Sequence, residues 1–278
     1  MRLFHVSDLH FGRPAVPTQI DAIEAMVQHE RFDIVAISGD LSQRARAGEF
    51  QRAAAFMRDA RRVSEVICVP GNHDVAWWRS PLHVRGADTM YEPYRTHVDQ
   101  DLEPVLRIPG CTVVGLNTSQ GVHIRTLTWN MRDVSIIGDL RQEQLERARR
   151  DFTAAPAGDA RVIVMHHNPV KGELSQRHGL KHTRRVLGAF ADMGVDLVLC
   201  GHDHQEAIHY VEHTRRGTII STAGTLSKRT RGGRPSSVNV ITLTRQEIRI
   251  VTHVWSPAER TFAPGPSKCF ARSSHDSA

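Results

Sequence analysis

The sequence predicts an α/β protein of two packed sheets with helices outside, and three observations lead there. Five brief apolar runs rich in β-branched residues, Leu3–Val6, Ile34–Ile37, Val66–Val69, Val162–Met165 and Leu197–Cys200, suit buried strands better than helices. Segments of helical spacing separate the first three runs. Beyond Gly201 the pattern changes to strand after strand.

In chain order, Ile20–Glu30 and Glu49–Val63 read as helices that join the first three strands into a parallel, right-handed β-α-β-α-β opening. The stretch from Trp77 to Leu106, with Pro81, Pro93 and Pro104, reads as a helix with irregular flanks. Thr112–Leu116 and Val134–Ile137 read as strands. Arg141–Phe152 follows as a helix with Leu145, Ala148 and Phe152 on one face. A loop through His178 and His182 leads to a helix at Arg184–Met193. The later strands are Glu206–Glu212, Thr218–Thr222, Ser237–Leu243 and Glu247–His253, with Arg245-Gln246 as a tight hairpin. From Ser256 onward the chain is rich in Pro, Ser and Ala. The reading is one domain over residues 1–255 and a tail over 256–278, partly mobile.

With 278 residues, 40% of them hydrophobic, the chain can bury one large core, and the five strand runs are spread across most of it. It has no apolar stretch of transmembrane length, and Met1-Arg2-Leu3 opens directly into a strand, so the expectation is a cytoplasmic protein. Cys68, Cys111, Cys200 and Cys269 lack C-x-x-C spacing and read as reduced thiols. Lys and Arg total 36 against 30 Asp and Glu, a net charge of +6 that suits anionic partners: phosphoesters, nucleic acid or acidic lipid surfaces.

Each of the five strand runs delivers polar residues at its carboxyl end. These are Asp8-Leu9-His10, Gly39-Asp40, Gly71-Asn72-His73-Asp74, Met165-His166-His167 and Gly201-His202-Asp203-His204. Ligands in α/β sheets sit beyond the carboxyl ends of the strands, so residues far apart in sequence converge on one rim. Carboxylates and imidazoles without a competing cysteine suit two divalent metal ions of the Mn, Fe, Zn or Co type.

The order D-x-H, G-D, G-N-H-D, H, G-H-x-H resembles that of the calcineurin-like metallophosphoesterases, from Asp8 to His204. The resemblance implies a four-layer α-β-β-α sandwich of two mixed sheets. It implies one metal held by Asp8, His10, Asp40 and His204, and another by Asp40, Asn72, His166 and His202, with Asp40 bridging. A bridging water would then lose a proton near neutral pH and attack phosphorus. His73 matches the family's non-ligand catalytic histidine, and Asp74 is positioned either to fix its tautomer or to cap the next segment.

The compact motif set resembles bacterial class III phosphodiesterases, which implies a phosphodiester substrate, nucleotides among the candidates. Three alternatives remain: a UDP-diacylglucosamine pyrophosphatase, a DNA nuclease, and a non-catalytic metal-binding scaffold. The nuclease fits the basic charge but lacks room for further domains. The scaffold is disfavoured because no ligand position is lost. The basic run Lys228–Arg234 offers Arg229 and Arg231 as phosphate contacts, or a solvated loop. Trp77-Trp78 suits stacking on a base or packing of a cap. His167, adjacent to a ligand on a strand, is expected either to pack elsewhere or to support the ligands from behind. Asp203 reads as a loop brace. His178, His182, His209 and Asn117 are marginal candidates for the mouth.

Overall fold

The computed structural model describes residues 1–76, 79, 88–120, 137–173, 179–213 and 217–272. Two six-stranded sheets lie face to face. The first contains β1 (Arg2–Val6), β2 (Ile34–Ile37), β3 (Glu65–Cys68), β10 (Ser237–Leu243), β11 (Glu247–Ser256) and β12 (Thr261–Ala271), in the order β12-β11-β10-β1-β2-β3. The second contains β4 (Val105–Ile108), β5 (Cys111–Leu116), β6 (Ala160–His167), β7 (Leu197–Gly201), β8 (Ala207–Glu212) and β9 (Gly217–Thr222), in the order β4-β5-β6-β7-β9-β8. Both are mixed. β1-β2-β3 and β5-β6-β7-β9 run parallel, while the flanking strands are antiparallel.

Side-chain alternation on these strands builds three apolar layers. Leu3, Ile34, Ala36 and Ile67 face Val113, Val162, Val164, Leu197 and Leu199 between the sheets. On the outer face of the first sheet, Phe4, Val6, Val35 and Ile37 meet Ile20, Ile23 and Val27 of α1 (Pro17–Glu30) and Phe50, Ala53 and Met57 of α2 (Ala47–Ala60). On the outer face of the second, Val114, Leu116, Ile163, Met165 and Val198 meet Leu145, Ala148 and Phe152 of α4 (Gln142–Thr153) and Val186 and Phe190 of α5 (Thr183–Asp192). Each large side chain so buried contributes about 1.5–3 kcal/mol relative to exposure. The result is the four-layer α-β-β-α sandwich. A further helix, α3 (Asp88–His97), carries Pro93 in its interior and packs Tyr94 edge-on against Phe50, ring centroids 6.0 Å apart.

Among the described residues the expected strands and helices stand within three residues of their expected bounds, the helix of the Trp77–Leu106 stretch is confined to Asp88–His97, and two differences remain. Short β4 was not anticipated. The tail expected from residue 256 is not a tail over Thr261–Ala271: these residues form β12, paired with β11 along most of its length. Pro264 and Pro266 disguised it. Proline removes a ladder donor, which an edge strand tolerates and a central strand does not. Most of the expected Val134–Ile137 strand, Trp77-Trp78, His178 and residues 273–278 lie outside the described residues. Among the described residues no helix is long and apolar enough to cross a membrane.

Candidate metal centre

The carboxyl ends of β1, β2 and β3 in one sheet and of β6 and β7 in the other meet at one rim, and all the expected ligands stand there. Asp8, His10, Asp40, His202 and His204 hold positive φ, between 46° and 74°. Asp and His tolerate this left-handed region better than most residues. Such strain persists only where the surroundings enforce it, and it gathers at functional sites. Two glycines explain themselves by close approach. A Cβ on Gly71 would lie 2.1 Å from Asp40 Oδ1, and one on Gly201 would lie 1.8 Å from Ser7 Oγ. The glycines of G-N-H-D and G-H-x-H thus let two loops pack directly against the carboxylate-bearing turns.

The ligating atoms of Asp8, His10, Asp40 and His204 all lie within 4.8 Å of one another, and all four residues are buried. His204 Nε2 stands 3.1 Å from both Asp8 Oδ1 and His10 Nε2. His10 Nε2 is 3.7 Å from Asp8 Oδ1 and from Asp40 Oδ2. A second cluster adjoins the first through Asp40. His166 Nε2 is 3.4 Å from Asp40 Oδ2 and 3.1 Å from Asn72 Oδ1, and His202 Nδ1 is 3.1 Å from the same Asn72 oxygen.

Hydrogen bonds from outside aim these atoms inward. Asp8 Oδ2 accepts the His202 backbone N–H at 3.0 Å, and Asp40 Oδ1 accepts that of His73 at 2.8 Å. The other oxygens, Asp8 Oδ1 and Asp40 Oδ2, are buried and have no hydrogen bond of acceptable geometry. His166 Nδ1 donates to Ser38 O at 2.8 Å and His204 Nδ1 to Arg229 O at 2.9 Å, so the Nε2 atom of each ring faces the cluster. The two orphaned carboxylate oxygens and the inward-facing ring nitrogens therefore stand 3.1–3.7 Å apart in a buried space. Such an arrangement calls for positive charge between them, and the donor set fits divalent metal ions.

The titration of these groups shows how strongly the buried carboxylates attract positive charge, here drawn onto His166 as a proton. Burial pushes His10 and His202 down to about 3, which keeps both rings neutral and their lone pairs available. Burial opposes ionisation of Asp40, but His166, His73 and His10 overcome it and hold its carboxyl well below the usual range. Burial also opposes charge on His166, yet the Asp40 and Asp8 carboxylates raise it to about 9.

His73 stands beside the cluster, its ring edge-on to His10 with centroids 4.9 Å apart. Its Nδ1 donates to Gln43 O at 2.8 Å, so its tautomer is set by a backbone carbonyl and not by Asp74. Asp74 instead accepts hydrogen bonds from Gly71 N, Leu41 N, Ser42 N and Ser42 Oγ at 2.7–3.1 Å, tying the loop after β2 to the loop after β3. Burial and the neighbouring Asp40 charge push Asp74 up to about 7, against those four donors.

His167 does not pack elsewhere: it groups with His166 and His202, closely enough for the three to share a metal ion. Its register slips between Val164 and His167 where β6 pairs with β7, so simple alternation fails there. The His167 ring lies 4.9 Å from His166 and 4.5 Å from His202, and its Nδ1 meets Thr118 Oγ1 at 2.7 Å. Asp203 braces loops, accepting from Asn168 Nδ2 at 2.9 Å and pairing with Arg231 at 3.7 Å. Asn117 caps its own turn through Ser119 N, His182 precedes α5, and His209 lies on β8; none is part of the two clusters. Arg229 reaches His73, with Nη1 3.0 Å from His73 Nε2.

The sequence profile of the calcineurin-like phosphoesterases matches residues 1–206, about three quarters of the chain. The chain belongs to that family. No curated protein matches it in sequence. Among solved structures it is similar in fold to a purple acid phosphatase from yellow lupin (TM-score 0.69, 12% identity), covering 98% of this chain and 54% of the lupin chain. It thus spans about half the length of that enzyme. It is also similar to GAP50, the anchor in the inner membrane complex of Plasmodium (TM-score 0.59, 12% identity, 98% and 89% covered). TT1561 of Thermus thermophilus gives a TM-score of 0.50 at 13% identity, with 95% and 97% covered. At such identities the likeness concerns the fold. Family membership and the His/Asp clusters together support a metal-dependent hydrolase of phosphoester bonds.

Proposed function

We propose that this calcineurin-like phosphoesterase is a phosphodiesterase with two divalent metal ions of the Mn, Fe, Zn or Co type. Asp8, His10, Asp40 and His204 would hold one, and Asp40, Asn72, His166 and His202 the other. When bound, such a pair polarises phosphoryl oxygens and supplies a water-derived nucleophile at neutral pH. The observation that carries the reading is the pair of orphaned carboxylate oxygens, Asp8 Oδ1 and Asp40 Oδ2, facing inward-aimed imidazoles.

The chain's own residues supply the rest. His73 is held by Gln43 O at Nδ1 and turns Nε2 to the open side of the cluster. Protonated at Nε2, it donates that proton to the leaving oxygen as the P–O bond breaks, and takes another from solvent afterwards. The Asp40 Oδ1 bond to the His73 backbone N–H fixes the distance between the acid and the bridging carboxylate. The walls beneath are apolar, which strengthens each charge interaction at the rim. A diester carries one negative charge. Of the arginines in the 228–234 loop, Arg231 and Arg234 are paired with carboxylates, which leaves fewer cationic groups than a doubly charged monoester would demand.

The test is turnover of bis(p-nitrophenyl) phosphate against p-nitrophenyl phosphate by metal-stripped protein resupplied with Mn, Fe, Zn or Co. Preferential diester hydrolysis, dependent on added metal, is the expected result. Monoester preference, or no turnover with metal bound, would overturn it.

A further inference from the structure

The loop at 228–234 holds three arginines whose surroundings differ. Arg231 pairs with Asp203 at 3.7 Å. Arg234 pairs with Glu206 at 3.2 Å and Glu173 at 3.5 Å. Both charges are used in holding the loop to its neighbours. Arg229 pairs with no carboxylate among the described residues. Its Nη1 donates to two neutral acceptors, His73 Nε2 at 3.0 Å and Gln43 Oε1 at 3.3 Å.

The base of this arm is fixed. Thr225 Oγ1 donates to Asp8 O at 2.8 Å, Leu226 N to the same oxygen at 3.2 Å, Lys228 N to Pro14 O at 2.9 Å, and Arg229 N to Ser227 Oγ at 3.2 Å. Arg229 O in turn accepts from His204 Nδ1. The main chain of Arg229 therefore belongs to the ligand scaffold, while its side chain is exposed and lies over the non-ligand histidine. The guanidinium stands at the open side of the centre, next to the atom that would face a leaving group.

We propose that Arg229 is a substrate-binding residue that takes a non-bridging phosphoryl oxygen, exchanging its neutral acceptors for an anionic one. This rests on the phosphoesterase reading of the same site. A guanidinium binds phosphate oxygens through charge-assisted, often bidentate hydrogen bonds, which are roughly twice as strong as bonds to neutral acceptors. The exchange is downhill for Arg229. It also frees His73 Nε2, which cannot accept a hydrogen bond from Arg229 while carrying the proton it is to donate.

Arg229→Ala and Arg229→Lys test this, with Lys228→Ala as the control for loop charge. Each protein, loaded with Mn, is assayed for diester turnover, for binding of inorganic phosphate by calorimetry, and for metal content. Arg229→Ala is expected to weaken phosphate binding and lower kcat/KM by roughly 10- to 100-fold, with metal content as in the unmodified protein. Arg229→Lys should recover part of both. Lys228→Ala should stay within about threefold, as its side chain is exposed and an exposed charge is worth little. If the unmodified protein proves inactive on diesters but binds phosphate, and Arg229→Ala weakens that binding, the proposal stands while the phosphodiesterase reading falls. Unchanged phosphate binding in Arg229→Ala, or loss of metal from it, would overturn the proposal.

Discussion

The rim and the core beneath it follow opposite rules. Between the sheets, Leu3, Ile34, Ala36, Val162, Val164 and Leu199 are fully buried and apolar, with no polar atom to satisfy. One strand-end above, buried carboxylates and imidazoles face one another, five of the candidate ligands occupy left-handed backbone, and two carboxylate oxygens lack donors. The core supplies the stability that the rim spends. What the contrast teaches is that the same strands carry both, so a substitution reads out according to its height along the strand.

The sharpest attempt to break this division is Asp40→Asn. It preserves shape and the acceptor for His73 N–H, so metal-stripped protein should melt within a few degrees of the unmodified chain. Turnover should fall by at least about 1000-fold, and metal binding should vanish from both clusters. Unfolding of the variant, seen by circular dichroism, would mean the rim also holds up the fold. Next in size, His73→Ala should lower kcat by about 100- to 10,000-fold while elemental analysis finds metal content unchanged. Loss of metal there would make His73 a ligand.

From the other side, Leu199→Ala removes a fully buried side chain from the inter-sheet layer and should cost about 2–5 kcal/mol in urea unfolding. The activity per folded molecule should stay within about twofold. A much larger loss would show that the core positions the ligands with little slack.

The smallest effect is expected where the two regions touch. His5 lies in β1 under the rim, fully buried, its Nε2 2.9 Å from Ser38 Oγ, while Ser38 O holds His166. Burial pushes His5 down to about 3, against the pull of Asp8. The unfolded chain takes up a proton there near pH 6.5, whereas the folded chain does not until about pH 3. Stability is therefore complete above pH 6.5 and falls as the pH drops toward 3. Between pH 6.5 and 5 the loss is about 2 kcal/mol from this one group. His5→Gln should flatten that part of a stability-versus-pH curve, and an unaltered slope would place the proton elsewhere.

Much of this was legible in the sequence because both regions leave local marks. Core strands appear as brief β-branched runs, and the rim appears as Asp, Asn, Gly and His immediately after them. Three things were not legible, each for a physical reason. β12 was hidden because its Pro264, Gly265 and Pro266 read as a coil, and only an unpaired outer edge makes them acceptable in a strand. The approach of His167 to His202 depends on a register slip, which no periodicity announces. The partners of His73 are Gln43 O and the Arg229 guanidinium, and a backbone carbonyl 30 residues away or an arginine 156 residues away has no signature in composition or spacing.

The position of β1 has a consequence for the order in which the centre is made. This strand, which leads to Asp8 and His10, sits between β2 and β10. Synthesis proceeds from the amino terminus, so His204, the last ligand, emerges before any residue of β10. Until Ser237–Leu243 has followed, β1 has only one of its two neighbours, and the pairing Arg2↔Thr242 closes a loop of nearly the whole chain. The candidate ligands are written early and their scaffold late, so any cation they held together would be captured as a closing event of biosynthesis rather than as a seed for folding.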